Sequence, residues 1–508
     1  MDNNKKVRVR FAPSPTGFLH IGGLKMALFD YLITKKLGGK FVLRIEDTDQ
    51  KRSVEGAVEG MINALDWTGM KYDEGAFIKS EVRTGVDSET YPGISEVGEF
   101  GPYVQSERLE LYKQYAEQLV AEDKAYYCFC SSERLEELRN TQTKNKQAPK
   151  YDRKCLELPK EEAETKIKNG EKYVIRFKIP EGKTKFKDSV YGEIEVDNGT
   201  LDDQVILKSD GFPTYHLAVV VDDCLMRISH VIRGAEWLPS TPKHILLYQA
   251  FDWEDMIPEF IHMPNMLNKD KKKLSKRRDS VSVEEFRQMG FPKEGILNYI
   301  LLLGWNPKTE EEIFTLDEMV EKFDIAKINR SGGIFDLERL AWVSAQHIKK
   351  MSVDEIYLGC LEFLKEKEFY KNASEDLKSE DYLKKIISVE QDRLSKFTEV
   401  GESNQFFFDD IDYKKEILQW KKNDKVVTKE NLEKSKTALE KIEEVDWTEE
   451  NLEKTLLEIS GDKRGDLLFP LRAALTGAKK SPSPFQCAWV LGKTESIKRI
   501  EDAIEKLK

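Results

Sequence analysis

The stretch FAPSPTGFLHIGGLKMALFDYLI, Phe11 to Ile33, decides how the N-terminal half of this chain is read. Ahead of it, KVRVRF alternates apolar Val7, Val9 and Phe11 with charged Lys6, Arg8 and Arg10, the period of a strand. Behind it, Leu24, Ala27, Leu28, Tyr31 and Leu32 recur at helical spacing. The prolines and glycines between them therefore make a strand-to-helix turn. Its glycines let backbone approach a ligand closely, and the helix N-terminus offers unpaired N–H groups to a phosphate. A bare turn would account for the glycines but gives no reason for a polar His20 at the helix entrance. The next strand, in KFVLRIEDTD, sets Phe41, Leu43 and Ile45 on one face and Val42, Arg44 and Glu46 on the other. Ligands of open parallel sheets sit at the carboxyl ends of strands, which places Arg10 and Glu46 to reach a substrate. Simple capping and solubilising of the strand end is the alternative for Arg44, Glu46, Asp47 and Asp49, and it suits Asp49 better than Glu46.

Working outward, Gly75 to Phe100 is polar and aperiodic and reads as an insertion or long loop. SERLELYKQYAEQLVAEDKA resumes a helical pattern, and YYCFC and YDRKC bound a small region ending near Cys155. Antiparallel strands are expected around Gly192 and Gly199, which interrupts the helix–strand alternation with an inserted domain. DGFPTYHLAVVVDD and RISHVIRGAEW return to the α/β pattern, and beyond about residue 340 the chain is dense in helix formers. At 508 residues several domains are required. Hydrophobic content of 40% with 34% charged residues describes a soluble, charge-rich protein without a membrane span or secretory leader. Six cysteines in so long a chain do not make a disulfide framework, so a reducing cytoplasm is expected. The net charge of −11 argues against indiscriminate polyanion binding, but NKDKKKLSKRR, Asn268 to Arg278, is a local basic run suited to phosphate.

PSPTGFLHIGG, KKLSKR (Lys272–Arg277) and VIRGAEW (Val231–Trp237), in order with RIEDTD, GPYVQSERLELY and GGIFDLERLAW, resemble the class I aminoacyl-tRNA synthetases, and among them the glutamyl enzymes. The resemblance covers nearly the whole chain. It implies an α/β Rossmann-type catalytic domain with an inserted α+β acceptor-binding domain and an all-α C-terminal anticodon-binding region. The expected division is 1–125 and 211–265 for the two catalytic halves, 126–210 for the insertion, 266–348 for a stem-contact region carrying the KLSKR loop, and 349–508 for the helical region. The implied substrates are L-glutamate, ATP with Mg²⁺, and tRNA(Glu); whether tRNA(Gln) is charged too stays open. By resemblance, His20, Gly22 and Gly23 cradle ATP, and Lys273 and Lys276 serve the phosphates. Arg233 reads the side-chain carboxylate with Arg10 as helper, Ala12, Ser14 and Glu46 meet the α-amino end, Tyr215 lines the pocket and Trp237 its rim. Gly23 and Arg277 depart from the commoner class I motifs in the way glutamyl enzymes do. Lys25 stands where Arg is common, and Val219 where some relatives have a substrate-touching Asn. His216, His230, His244, His262 and His347 show no partner pattern and read as core or surface.

Cys128-x-Cys130 with Tyr151 and Cys155 resembles the zinc knuckle of bacterial members, a structural site in which three thiolates and one further ligand suit tetrahedral Zn²⁺. Three buried cysteines without metal are the alternative. Arg393 matches the region that reads the anticodon, whereas Phe406, Phe407 and Phe408 read as core. A monomer is implied. The shorter relatives that glutamylate a modified tRNA base lack a helical C-terminal half, which this chain has. Intact His20, Lys276, Arg233 and Glu46 argue against an inactive tRNA-binding paralogue, and the helical tail and Arg233 against a glutaminyl enzyme.

Overall fold

Four consecutive buried residues, Arg8 to Phe11, make the first strand, and two of them are arginines. The computed structural model describes residues 6–274 and 282–508. The strands are β1 (Arg8–Phe11), β2 (Lys40–Leu43), β3 (Glu74–Ile78), β4 (Val86–Asp87), β5 (Ile94–Val97), β6 (Ala125–Cys128), β7 (Val174–Phe177), β8 (Lys183–Asp188), β9 (Gly192–Asp197), β10 (Val205–Leu207), β11 (His230–Gly234) and β12 (Glu259–Met263). Nine of them form one sheet in the order β4-β5-β3-β2-β1-β11-β12-β8-β9. From β3 to β8 all neighbours are parallel, and each edge is closed by antiparallel strands. A central parallel strand is covered on both faces, so the charged side of the β1 alternation is interior rather than solvent-facing. Arg8 meets both oxygens of Glu74, at 2.7 and 3.0 Å, and Arg10 meets Asp223 at 3.0 Å.

The turn after β1 leads into helix α1 (Ile21–Lys36), and α2 (Ala57–Thr68) follows β2, giving the expected strand–helix–strand–helix start. The expected loop at 75–100 is corrected: β3, β4 and β5 extend the sheet there. Their period is hidden because they are only two to five residues long, and Gly75 packs so close to β2 that a Cβ would lie 2.1 Å from the Leu43 carbonyl oxygen. Of the strands in the 126–210 region, β6, β7 and β10 make a separate antiparallel sheet. The β8–β9 hairpin instead joins the large sheet through Phe260 and Asp188. That register sets Asp188 against β12, the strand that carries His262.

The chain divides into two units, one built from residues up to Phe286 with Leu297–Leu337, the other from Arg287–Ile296 with Glu338–Lys508. The second unit is helical in its described residues, with a core that includes Leu383, Leu432, Leu452, Leu471 and Ile500. Phe406, Phe407 and Phe408 are buried in it, as their apolar run suggests. No described helix is long and apolar enough to cross a membrane.

Candidate active site

His20 is the N-cap of α1, and its Nδ1 accepts from the Gly22 N–H at 2.8 Å. That bond places the imidazole proton on Nε2 and leaves the cap as a donor. The glycines also answer to the turn itself. A Cβ on Gly22 would lie 3.1 Å from His20 Nδ1, and one on Gly23 only 2.8 Å from a Leu19 methyl. The basic run is tied to the same place from both sides. Leu274 N donates to Met266 O at 3.0 Å, and Val283 N donates to Leu19 O at 2.9 Å while Ser282 bridges His20. Lys273 is half exposed, with its ammonium 2.5 Å from Glu236. Lys276 and Arg277 lie outside the described residues. Lys25 is buried against the Pro264 carbonyl, 2.7 Å away, and burial lowers its pKa to about 8.

Turn, strand ends and loop flank enclose one cleft of about 960 Å³. Arg10, Ala12, Ser14, His20, Gly22, Gly23, Glu46, Tyr215, Arg233, Trp237 and Lys273 all line it. One wall rests on a buried charge lattice. Arg44, fully inaccessible, reaches Glu46 at 2.9 Å, Asp223 at 2.8 Å and Asp222 at 3.8 Å. Arg10 shares Asp223, and Arg108 binds Asp222 at 2.8 Å. Burial pushes the Glu46 carboxyl above its ordinary value, with Arg44 and Arg10 pulling against that shift. Asp223 is held below the usual carboxylate range, because Arg10 and Arg44 outweigh the effect of burial. Asp49 by contrast pairs with Arg52 at the surface, the solubilising role its position suggests.

Arg233, on the strand paired with that of Arg10, also lines the cleft and is 6% exposed. Its Nη1 donates to Tyr215 Oη at 3.1 Å and to His244 Nδ1 at 3.0 Å; its Nη2 donates to Thr241 at 2.8 Å and its Nε to His262 Nε2 at 3.0 Å. Trp237, at the rim, tilts over Tyr215 with ring centres 4.3 Å apart. Three of the histidines for which the sequence shows no partner pattern meet around Arg233: His262 and His244, buried as core residues, hold it, and His216 lies 3.0 Å from His244, while His230 Nδ1 lies 2.8 Å from Ser229 Oγ. Nothing in the sequence signals this, because the three come from different elements with no fixed spacing. Val219 is buried in an apolar cluster on helix Tyr215–Leu225 and does not line the cleft.

Away from the cleft, the sulfur atoms of Cys128, Cys130 and Cys155 lie within 4.8 Å of one another. Tyr151 Oη is 3.4 Å from the sulfurs of Cys128 and Cys130, and those of Cys130 and Cys155 are 3.5 Å apart. None of the six cysteines forms a disulfide. In the helical unit, Arg393 is exposed at the end of a short 3₁₀ turn, Gln391–Arg393.

Residues 6–342 match the catalytic domain of the tRNA synthetases of class I (E and Q), and residues 360–504 match an anticodon binding domain. The glutamate–tRNA ligase of Clostridioides difficile (strain 630) is 45% identical over 97% of this chain and 98% of its own length. That of Alkaliphilus metalliredigens (strain QYMF) is 42% identical, over 99% and 100%. The crystal structure of a glutamate tRNA ligase from Elizabethkingia meningosepticum CCUG26117, in complex with its amino acid, matches with a TM-score of 0.83 at 34% identity, covering 99% of this chain and 100% of that one. The chain belongs to the glutamate–tRNA ligases of the class I tRNA synthetases.

Proposed function

We propose that this chain attaches L-glutamate to tRNA(Glu) in two steps within the single cleft. A glutamate α-carboxylate oxygen attacks the α-phosphorus of ATP and pyrophosphate leaves with the broken P–O bond. A ribose hydroxyl at the tRNA 3′ end then attacks the carbonyl carbon of the glutamyl-adenylate, and AMP leaves. The observation that carries the reading is one cleft lined both by Arg10 and Arg233 and by a histidine-capped helix N-terminus. That layout supports an amino acid bearing a second carboxylate beside a nucleotide.

Phosphoryl transfer needs positioning and charge neutralisation more than covalent help. ATP enters as its Mg²⁺ complex. His20 offers its Nε2 proton to a phosphate oxygen, Gly22 and Gly23 carry adenosine over the start of α1, and Lys273 and Lys276 meet the charge that develops on the leaving phosphates. Of the five N–H bonds of Arg233, four are engaged by the protein. One on Nη2 remains, and Tyr215, already accepting from Nη1, has its O–H to give. The pair makes a two-donor clamp for the side-chain carboxylate, with Arg10 nearby. Glu46 takes the substrate ammonium, and Ala12 and Ser14 lie along the same edge. In the helical unit, Arg393 is exposed for an anticodon base.

Because burial raises the Glu46 pKa, the carboxylate that holds the ammonium is lost at a pH above the ordinary glutamate range. KM for glutamate is therefore expected to climb on acidification while the pH is still above the ordinary glutamate range, with the Glu46→Gln variant showing a raised, flat profile. A wild-type KM unchanged until the pH enters that ordinary range would remove Glu46 from this role.

The Cys128, Cys130, Cys155 and Tyr151 set fits Zn²⁺. Around a tetrahedral zinc, sulfur atoms lie about 3.8 Å apart and sulfur and oxygen about 3.5 Å apart, close to the spacing here. Bound there, zinc would fasten β6 to the segment carrying Tyr151 and Cys155, bracing the region proposed to hold the acceptor end. Metal analysis is expected to give one zinc per chain. Cys128→Ser is expected to lose it and to raise KM for tRNA about tenfold while KM for glutamate stays put. Zinc-free protein with ordinary tRNA affinity would make the cysteines merely core.

Aminoacylation with labelled glutamate and ATP, using tRNA(Glu) and tRNA(Gln) separately, tests the whole reading. Charging of the first alone defines a discriminating enzyme, and charging of both a non-discriminating one. Charging of neither by folded protein overturns the proposal.

A further inference from the structure

Every donor of Arg233 that faces away from the cleft ends on a side chain that must be neutral to accept it. His262 lies beside Arg233 in the parallel register of β11 and β12. It is fully buried, and its Nδ1 is 2.7 Å from Asp188 Oδ2, itself 1% exposed. A guanidinium only donates, so His262 Nε2 accepts from Arg233 Nε and the imidazole proton sits on Nδ1, where Asp188 takes it. Asp188 has no freedom to turn: its Oδ1 accepts from the amides of Val190 and Tyr191 at 2.9 and 2.8 Å, and its Oδ2 also from the amide of His262 at 3.2 Å. By the same logic His244 Nδ1 is an acceptor, and its proton is on Nε2, donated to His216 Nδ1.

We infer that Asp188, His262 and His244 are positioning residues for the glutamate side chain: a carboxylate–imidazole–guanidinium chain and a flanking imidazole fix the plane in which Arg233 meets the substrate. The assignment rests on the reading of Arg233 as the carboxylate reader and adds residues that never touch substrate. The remaining bonds make the frame rigid. Thr241 Oγ1 accepts from Nη2 at 2.8 Å and lies 3.2 Å from His262 Nε2, and Tyr215 closes the cleft side. Burial lowers the pKa of His244 and His262, with Arg233 acting in the same direction, and lowers that of His216 to about 4. The uncharged forms that the geometry requires are those the surroundings favour. Asp188 comes from the β8–β9 hairpin, so a turn outside the cleft reaches its specificity element through one histidine.

The test is steady-state aminoacylation of tRNA(Glu) by His262→Phe, His262→Gln, Asp188→Asn and Arg233→Gln, with KM for glutamate, KM for ATP, kcat and thermal midpoint measured for each. His262→Phe removes the acceptor and is expected to raise KM for glutamate about thirtyfold, with KM for ATP within about twofold. His262→Gln is expected to recover most of that loss, because its carbonyl oxygen accepts from Arg233 Nε while its amide donates to Asp188. Asp188→Asn puts an N–H against an N–H whichever way the amide turns, and is expected to share the selective KM defect. The inference is overturned if Arg233→Gln raises KM for glutamate while His262→Phe and Asp188→Asn leave it alone. It is overturned equally if their losses fall on kcat and KM for ATP together and glutamine does not rescue. Should Arg233→Gln itself leave KM for glutamate unchanged, the reading of Arg233 fails first.

Discussion

Arg233→Gln is expected to lower kcat/KM for glutamate about a thousandfold, corresponding to about 4 kcal/mol, with KM for ATP nearly unaffected. The size follows from burial. Arg233 is 6% exposed, so a substrate carboxylate brought to it gives up most of its water and depends on the clamp to replace that hydration. Glutamine at this position offers one neutral donor group in place of a charged fork, and it leaves His262 Nε2, His244 Nδ1 and Thr241 Oγ1 without the donor they share. Glutamine as a substrate carries no charge to strand, so its much weaker use should change little and discrimination between the two amino acids should collapse. Steady-state kinetics with both amino acids on tRNA(Glu) check this. KM for glutamate within about threefold of wild type would place the side-chain carboxylate elsewhere in the cleft.

The parts legible in the sequence are those in which one short segment carries the whole signal. Phe11 to Ile33 contains its strand end, its turn and its helix, so the helix cap at His20 and the cleft beside it could be read directly. The cysteines at 128, 130 and 155 lie within twenty-eight residues of one another and meet as the resemblance implies. What escaped was assembled by the sheet. Asp188, Arg233, His244 and His262 come from three strands and a helix, and only the parallel register of β11 with β12 and of β12 with β8 brings the first two to the same histidine. No window of sequence holds that information. The strands at 74–97 were hidden for another reason: they are two to five residues long, too short to establish an alternation, and Gly75 interrupts the longest of them.

The charges of β1 and β2 illustrate how the same letters mislead at first reading. Capping and solubilising of the strand end, the alternative for Arg44 and Glu46, fails because both are buried in a sheet covered on each side. What makes that tolerable is pairing with Asp222 and Asp223, more than a hundred and seventy residues away in the chain. The cleft wall and the stability of the first unit therefore depend on the same ions.

Arg44→Met is accordingly expected to destabilise that unit by about 4 kcal/mol, since it leaves Glu46, Asp222 and Asp223 sharing only Arg10 and Arg108. In a domain of this size the corresponding fall in Tm is about 8 °C. The loss should also depend on pH in a defined direction. In the wild type Asp223 is held below its ordinary pKa, so its contribution is full at neutral pH and fades only as pH drops through that lowered value. In the variant Glu46 and Asp223 have lost their shared cation, and burial and mutual repulsion raise their pKa above the unfolded value. Their penalty is then greatest at neutral pH and is relieved as they take up protons. The gap in Tm between wild type and variant should therefore narrow between about pH 7.5 and pH 5.5, above the range in which Asp223 loses its contribution in the wild type. Thermal unfolding followed by circular dichroism at the two pH values measures it. A gap that is absent, or that is equal at both, would mean that Arg44 is held for its volume and not for its charge.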